Sequence, residues 1–559
     1  MKKFIPAVGE ADFRLLRRAN YGFVDKSLFI RDVLADSSKV LCFPRPRRFG
    51  KTTNLSMLGH FLRKTDEDSS DIFAGLDVTR DPETMKHFQK YPVIYVSFKD
   101  VKGDTLSAAI ASVRERIVEV FEEHSAILET RSIGSSLARR IRRVLDDEVS
   151  DDELPNAFQW LSSALHKVHG ERAVILIDEY DTPMHSGYRH DYFDDITRFM
   201  RTFLSSCLKD NSALYKGVMT GILRVARENM FSDLNHINVY SVIDDAYATC
   251  FGFTETEVRE IIEPERFDDV RAWYNGYVFG GHVIYNPWSI LHYILRGRLE
   301  PYWVNTGGTE LIELLALKQG MALSEQSSIL LNGGSIDVIV NPHIVLRNIH
   351  QEPEAFWNFL FFSGYLKSVD LQLIVGEYHA KLAIPNQEVR LVYRDLFQNW
   401  LRARDPRYGY TDAFVEALTT GDAQTAEEML QRILLTAVSF EDTKKNANPE
   451  NLYHGLVLGM LVHLEGQYEV RSNRETGLGR ADVIMRPKAP NKPGVLMEFK
   501  ALEPGDDVDK ALKVGALQVR KKHYSTELLA VGVPIVYEYT MAFDGKVAWV
   551  KHVEDVLTA

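Results

Sequence analysis

The sequence has few cysteines and no long apolar run. Its three cysteines, Cys42, Cys207 and Cys250, are far apart in a chain of 559 residues. This spacing forms no zinc-ligand pattern and is typical of a reducing compartment. The longest apolar segments, residues 456–464 and 359–366, are too short to span a bilayer. The N-terminal residues contain no signal-peptide core. We therefore expect a cytoplasmic protein without a membrane partner.

The sequence also has no excess of basic over acidic residues. The formal net charge is −12, so no overall positive field attracts nucleic acid, and any such contact requires a local patch. With 45% hydrophobic and 26% charged residues, the composition is that of an ordinary globular protein. The chain is too long for one hydrophobic core, so about two to four domains are expected.

The first chemical signal is a strand, a turn and a helix within residues 39–53. An apolar strand runs into Gly50-Lys51-Thr52, and a helical pattern follows. Backbone N–H groups at such a turn form an anion nest, where Lys51 reaches the β- and γ-phosphates and Thr52 ligates Mg²⁺. The usual pattern has glycine at the position of Arg45, so the motif alone is imperfect. The other predicted nucleotide-binding residues here are Arg47, Arg48, Phe49 and Thr53.

A second signal lies in residues 173–181. Val174 to Ile177 form a continuous apolar run, which is typical of a strand buried on both faces of a parallel sheet. Asp178 follows at its carboxyl end and is predicted to hold Mg²⁺, and Glu179 to polarise the attacking water. A buried strand ending in a solvated acidic turn is the structural alternative. The combination with Lys51 favours binding and hydrolysis of ATP or GTP.

A third strand is predicted to end at Thr220. A polar residue at this position senses the γ-phosphate in such ATPases, and Arg224 or Arg227 beyond it reaches the phosphates from the same chain or from a neighbour. Two arginines after a strand are equally typical of a solvated surface.

Residues 251–305 are rich in aromatic residues and turns. We interpret them as a small helical lid whose aromatic residues pack at a domain junction.

The C-terminal segment 449–552 carries a second set of chemical residues. Glu498 and Lys500 are two apart on a predicted strand, so they share one face. Asp482 begins the neighbouring strand of a hairpin and is expected beside them. Two carboxylates and a lysine suit Mg²⁺ or Mn²⁺ and the cleavage of phosphate esters. A cross-face ion pair is the structural alternative for Glu498 and Lys500.

Further residues of this segment have open assignments. Gln518 and Lys522 lie one helical turn apart and are candidates to face the same site, with Arg520 to Lys522 as phosphate contacts. Glu450 either completes the metal site or is an acid stabilised by the helix dipole in the first turn of its helix.

Taken together, these segments resemble the bacterial AAA-ATPase-like proteins that carry a C-terminal PD-(D/E)XK nuclease domain. The resemblance covers nearly the whole chain and implies a P-loop NTPase core related to AAA+ and STAND ATPases, followed by a restriction-endonuclease-like α/β domain. This family uses the Arg-Pro-Arg-Arg-Phe-Gly-Lys form of the loop, which accounts for Arg45. The matching segments are residues 24–26, 45–51, 176–181, 220–221, 231–235, 274–277, 286–289, 479–482 and 498–500.

Two departures from the family pattern concern the nuclease. The motif usually begins with Pro-Asp, whereas Ala481 precedes Asp482 here, and Asn473 stands where a glutamate is expected. The second change weakens a carboxylate contribution if that position faces the metal. The implied organisation is a P-loop domain (1–250), a helical lid (251–310), a winged-helix-like or helical connector (311–435) and a nuclease-like domain (436–559).

We therefore predict a protein that binds and hydrolyses ATP and controls a metal-dependent nuclease. ATP and Mg²⁺ are the expected cofactors, with Mn²⁺ as an alternative at the nuclease site. DNA is favoured over RNA as the partner, and a homo-oligomer is compatible with the sequence. The alternative is a nucleotide-switched signalling or scaffold protein whose C-terminal domain binds nucleic acid or a partner without cutting. A metabolic NTPase or kinase is disfavoured, because no acceptor site is evident.

Overall fold

A computed structural model describes most of the chain. The described residues are 4–130, 133–209, 211–222, 237–303, 322–331, 333–342, 353–404, 409–437, 449–461, 464, 466–472, 482–503, 505–522 and 524–558. They form two compact units. The first comprises Met1–Leu311 and Asp337–Glu388, and the second comprises Ile312–Ile336 and Val389–Ala559. The predicted connector 311–435 is thus divided between the two units.

A five-stranded parallel sheet is the centre of the first unit. Its strands are β1 (Val40–Pro44), β2 (Val93–Ser97), β3 (Ala173–Asp178), β4 (Leu214–Gly221) and β5 (Ile237–Val239). Their order is β2-β3-β4-β1-β5. Every residue of β1 and β3 is buried, as expected for central strands covered by helices on both faces. The carboxyl ends of β1, β3 and β4 meet at one edge, with Pro44 beside Gly221.

The helices of the first unit surround this sheet and extend beyond it. The α-helices are Phe13–Arg18, Leu28–Ala35, Lys51–Leu62, Ser70–Phe73, Pro82–Met85, Leu106–Glu123, Ser135–Leu145, Ala157–His169, Thr182–Arg189, Phe193–Leu208, Glu255–Ile261, Phe267–Tyr274, Pro287–Arg296 and Pro353–Phe362. Short 3₁₀ helices are Asp77–Arg80, Ser125–Glu129, Leu154–Asn156 and Pro264–Arg266.

The segment predicted as a helical lid contains strands as well as helices. These are β6 (Phe253–Thr254), β7 (Tyr277–Phe279) and β8 (His282–Tyr285), in the order β6-β8-β7. Aromatic and β-branched residues on both sides of a glycine turn favour this hairpin over a helix. A further sheet of order β10-β11-β9 is formed by β9 (Ile336–Val340), β10 (Lys367–Ile374) and β11 (Glu377–Ala383).

The second unit is built on a mixed five-stranded sheet. Its strands are β12 (Tyr468–Ser472), β13 (Val483–Pro487), β14 (Gly494–Ala501), β15 (Val536–Asp544) and β16 (Val547–His552), in that order. Only the β14–β15 pair among them is parallel. The helices are Ala322–Leu331, Gln387–Arg404, Tyr410–Thr420, Ala423–Ala437, Pro449–Leu461, Val508–Lys522, Tyr524–Ala530 and Val553–Thr558. The first two residues of Gln387–Arg404, Gln387 and Glu388, belong to the first unit.

The two faces of this second sheet have different roles. One face carries Met497, Phe499 and Met541, which form the main core of the unit together with Leu430 and Leu456 from the helices. The other face carries Glu498 and lies under helix Val508–Lys522, where Thr540 donates to the Leu512 carbonyl. The α/β class predicted from the sequence is confirmed for both units. Among the described residues, no helix combines the length and apolar character needed to cross a bilayer.

Candidate functional site

The turn after β1 has the backbone geometry of an anion nest. Gly50 precedes helix Lys51–Leu62 with a φ of 81°, a left-handed conformation that glycine adopts without strain. Lys51 is buried, and its Nζ donates to the carbonyls of Arg45 at 3.1 Å and Pro46 at 3.0 Å. Burial lowers the pKa of Lys51. A phosphate at this helix start would provide the buried ammonium with an anionic partner.

Three residues predicted from separate segments come together behind this turn. The Thr52 hydroxyl donates to Asp178 Oδ2 at 2.8 Å, and the Thr220 hydroxyl donates to Asp178 Oδ1 at 2.5 Å. Asp178 is fully buried, and burial raises the pKa of its carboxyl group. Carboxylate and hydroxyl oxygens are the ligands that Mg²⁺ prefers, so Thr52 and Asp178 fit the predicted metal.

Glu179 follows directly in a strained backbone conformation. Its φ is 50°, which is unfavourable for a residue with a Cβ atom. Its half-buried carboxylate accepts a hydrogen bond from the Thr182 hydroxyl at 3.3 Å. Such strain is concentrated at functional sites, and it turns the chain sharply where β3 ends.

Asp181 also has a role at this edge, which the sequence reasoning did not assign. Its buried carboxylate accepts a hydrogen bond from the Ile222 N–H at 2.8 Å. This bond joins the turn after β3 to the end of β4. The only signal in the sequence was a third acid in the Asp-Glu-Tyr-Asp segment.

Arg45, which stands where the usual loop has glycine, points into the protein. Its buried guanidinium donates to the carbonyls of Tyr240 at 2.6 Å and Pro44 at 3.0 Å. It also lies 5.1 Å from the centroid of the Phe251 ring. Burial lowers the pKa of Arg45 to about 10. The side chain therefore fastens the loop to residues 240–251.

Replacing Arg45 by the glycine of the usual motif is expected to destabilise the protein. The change leaves the Tyr240 carbonyl without its charged donor and opens a cavity, together costing about 3 kcal/mol. Urea denaturation of the Arg45→Gly variant measures this loss. Arg47→Gly is the control, because Arg47 is exposed in the same loop. Equal losses in the two variants would contradict the anchoring role of Arg45.

The remaining predicted nucleotide residues lie along the same loop and helix. Phe49 is buried, with its ring 4.9 Å from that of Tyr277, and anchors the loop. The exposed Arg48 guanidinium lies 3.9 Å from the Trp288 ring centroid. Arg224 and Arg227, and the segment 231–235 of the resemblance, lie outside the described residues.

Beside the loop is a mainly apolar cleft that the sequence reasoning missed. It is lined by Gly50 and Thr53 together with Phe23, Val24 and Phe253. These residues come from the N-terminal segment and from the segment after residue 250, and local pattern does not bring them together. A planar apolar base fits a cleft of this kind next to a phosphate loop.

In the second unit, the predicted acids and lysine meet at the pairing of β13 with β14. Asp482 Oδ2 accepts a hydrogen bond from the Phe499 N–H at 2.7 Å. Glu498 is 1% exposed, and its Oε1 lies 3.1 Å from Lys500 Nζ. Lys500 also donates to the Phe499 carbonyl at 2.8 Å. Glu498 and Lys500 are thus paired on one face, as their two-residue spacing predicted, and the Asp482 carboxylate is bonded to the backbone between them.

His454 supports this site from helix Pro449–Leu461. Its Nε2 lies 3.0 Å from the Asp482 carbonyl oxygen, and its ring packs against that of Phe499 at 5.6 Å. The donation to a carbonyl holds a proton on Nε2. His454 therefore positions the backbone of Asp482, a role that the sequence pattern did not indicate.

The other residues predicted for the nuclease site are not shown in contact with Asp482, Glu498 or Lys500 in the described part of the chain. Arg520, predicted as a phosphate contact, pairs with Glu554 at 3.1 Å and lies 3.8 Å from Glu538. Gln518 is partly buried on the same helix. Within the described part of the chain, no group of three or more His, Cys, Asp or Glu residues is arranged to hold a metal. The side chains of Glu450 and Lys522, and Asn473, lie outside the described residues.

Comparison with known proteins matches the two segments of the chain that contain these residues. Residues 7–231 match the family model described as predicted AAA-ATPase, and residues 448–553 match that of the PD-(D/E)XK nuclease superfamily. The predicted resemblance is confirmed. The AAA-ATPase-like region contains the Lys51 and Asp178 site, and the PD-(D/E)XK region contains Asp482 and Glu498.

One relative matches along nearly the full length of both chains. It is described as an uncharacterized protein in the vnfD 5′ region of Azotobacter chroococcum mcd 1, and it is 26% identical over 545 residues. The match covers 96% of this chain and 95% of the relative. The similarity to this protein therefore extends through both matched regions of the chain. The AAA-ATPase-like and PD-(D/E)XK regions support an ATPase and nuclease type of function.

Proposed function

We propose that this protein binds and hydrolyses ATP, and that its nucleotide state controls a metal-dependent nuclease in the second unit. The observation that carries the ATPase half is the convergence of Thr52 and Thr220 on the buried Asp178 carboxylate, behind Lys51. Three polar side chains converge at the carboxyl edge of a parallel sheet, where ligands bind in open α/β folds.

In the proposed hydrolysis, residues of this chain bind the phosphates, the metal and the base, and they orient the attacking water. Lys51 and the backbone N–H groups of the loop hold the phosphates, Thr52 and Asp178 hold Mg²⁺, and the apolar cleft at Thr53 takes the base. Glu179 orients the attacking water. Bound Mg²⁺ would neutralise charge on the phosphates. The Thr220 hydroxyl, which donates to Asp178, responds to the γ-phosphate.

The nuclease half rests on Asp482, Glu498 and Lys500. The two carboxylates suit Mg²⁺ or Mn²⁺, which would stabilise the charge of the phosphate being cleaved. The Lys500 ammonium, 3.1 Å from Glu498, orients the attacking water or stabilises the transition state.

We further propose that the substrate is DNA, that the protein acts in the bacterial cytoplasm in defence or nucleic-acid processing, and that Arg224 acts in a homo-oligomer. The domain boundaries near residues 250, 310 and 435 belong to this proposal.

One experiment tests both halves. The purified protein is incubated with labelled single- and double-stranded DNA and RNA, with Mg²⁺ or Mn²⁺, and with ATP, ADP or no nucleotide. Metal-dependent cleavage that changes with the nucleotide is the expected result. Cleavage that is indifferent to nucleotide removes the control and leaves the nuclease. Binding without cleavage in every condition favours the scaffold function, in which Glu498 and Lys500 form a structural ion pair.

Glu179→Gln is expected to bind ATP normally and to lose hydrolysis by about 100-fold or more. The substitution removes the group that orients the water but no phosphate contact. Phosphate release under saturating ATP measures the loss. Glu171→Gln, at the opposite end of β3, is the matched control. Parental turnover in the Glu179 variant would show that Glu179 is not catalytic.

A further inference from the structure

A buried carboxylate lies near the phosphate loop and belongs to neither candidate site. Glu388 is 0% exposed and lies at the start of helix Gln387–Arg404. Its Oε1 accepts a hydrogen bond from the Trp303 N–H at 2.5 Å, and its Oε2 accepts one from the Ser289 hydroxyl at 2.8 Å. Burial raises the pKa of Glu388 to about 7. A buried acid is costly unless its hydrogen bonds are made, so Glu388 strongly restrains the backbone at Trp303.

Trp303 in turn is bonded to the phosphate loop. Its indole N–H donates to the Arg47 carbonyl at 3.0 Å, and the Asn286 amide lies 3.4 Å from the same oxygen. In a trans peptide the C=O and the following N–H point in opposite directions. Fixing the Arg47 carbonyl toward Trp303 therefore turns the Arg48 N–H away from Trp303. Arg48 has a φ of 67°, so this peptide unit is held in a conformation that the loop alone does not favour.

Packing leaves little freedom for this connection. The Trp303 ring is buried and lies 4.7 Å from the Tyr365 ring. Gly364 is close to the loop, because a Cβ atom at that position would lie 2.8 Å from the Pro46 Cβ. Tyr365 thus packs on the Trp303 ring, and its neighbour Gly364 lies against Pro46 of the loop.

We propose that Glu388 is a positioning residue for nucleotide binding: it holds Trp303 so that the indole N–H orients the Arg47–Arg48 peptide unit of the phosphate loop. The proposal rests on the proposed function, since it names the residues that preset the ATP site. Glu388 touches no phosphate, so its effect on affinity passes through Trp303. It also gives a role to the aromatic segments around residues 286–303, which the sequence indicated only as packing.

Four variants of the full chain test this connection. Trp303→Phe removes the indole donor and keeps an aromatic ring, and Glu388→Ala frees the Trp303 backbone. Glu388→Gln keeps an acceptor for the Trp303 N–H and a donor for Ser289. The matched control is Tyr274→Phe, because the buried Tyr274 hydroxyl bonds to the backbone of Glu300 and not to the loop. The readouts are calorimetric titration with ATP and Mg²⁺, at a pH above 7, and hydrogen exchange of the backbone amides of residues 45 and 47–52.

Trp303→Phe and Glu388→Ala are expected to weaken ATP binding roughly 3- to 10-fold, the effect of one lost hydrogen bond, and to speed amide exchange in the loop. Glu388→Gln should lie near the parent, and Tyr274→Phe should match the parent in both readouts. Unchanged exchange in Trp303→Phe overturns the connection itself. Faster exchange with parental affinity overturns the positioning role. A parent chain that does not bind ATP overturns the proposed function, and the exchange data still decide whether Glu388 restrains the loop.

Discussion

Replacing Lys51 by alanine is expected to weaken ATP binding by about 1.5–3 kcal/mol, or roughly 10- to 100-fold. Lys51 begins the helix at the phosphate nest, and its ammonium is buried among the loop carbonyls of Arg45 and Pro46. A charge-assisted contact to phosphate in this dry setting is strong. Titration of the Lys51→Ala variant with ATP and Mg²⁺ measures the loss.

The control for this prediction is Lys64→Ala. Lys64 is an exposed lysine just beyond the other end of helix Lys51–Leu62, so its removal changes the net charge equally and leaves the nest intact. Thermal unfolding checks that both variants fold. An unchanged ATP affinity in a folded Lys51→Ala protein would refute the assignment of the phosphate loop. The same variant is expected to alter cleavage by the PD-(D/E)XK region if nucleotide controls it.

Substituting Asp482, Glu498 or Lys500 by alanine is expected to reduce nucleic-acid cleavage by about 100- to 1,000-fold or more and to leave ATP hydrolysis intact. The Asp482 and Glu498 variants each lose a proposed metal ligand. Lys500→Ala loses the ammonium that lies 3.1 Å from Glu498. Lys500→Ala should change metal affinity least, because a cation is not a ligand. Cleavage rates, metal titration and phosphate release measured on the same preparations separate these effects.

Glu503→Gln is the matched control for the nuclease prediction. Glu503 is an exposed acid just after β14, the strand that carries Lys500, and its neutralisation should leave cleavage unchanged. Parental cleavage by Glu498→Ala would rule out the metal site proposed for the PD-(D/E)XK region. Loss of both cleavage and ATP hydrolysis in one variant would instead indicate a folding defect, which thermal unfolding detects.

Local pattern was sufficient for the residues that lie at the ends of strands. The apolar runs before Gly50 and Asp178 predicted β1 and β3, and the carboxyl edge of a parallel sheet brought Thr52, next to Lys51, to Asp178. The two-residue spacing of Glu498 and Lys500 predicted their common face in the same way. Strand periodicity is a short-range property, so a single sequence expresses it clearly.

Contacts across long stretches of chain could not be read from local pattern. Arg45 bonds to a carbonyl 195 residues away, and Trp303 bonds to the loop across 256 residues. The hairpin β7–β8 within the predicted helical lid was likewise missed, because short strands depend on the neighbours that they pair with.

The sequence by itself determined which residues carry the proposed chemistry: a loop ending in Lys51, an acid after a buried strand, and two carboxylates with a lysine on a hairpin. The tertiary structure alone decided how those groups are held. It placed Arg45 inward, set Thr220 on Asp178, brought His454 to Asp482 and connected Glu388 through Trp303 to the loop. Residue type and spacing specify which reactions are available, whereas buried hydrogen bonds form only where folding brings distant donors and acceptors together.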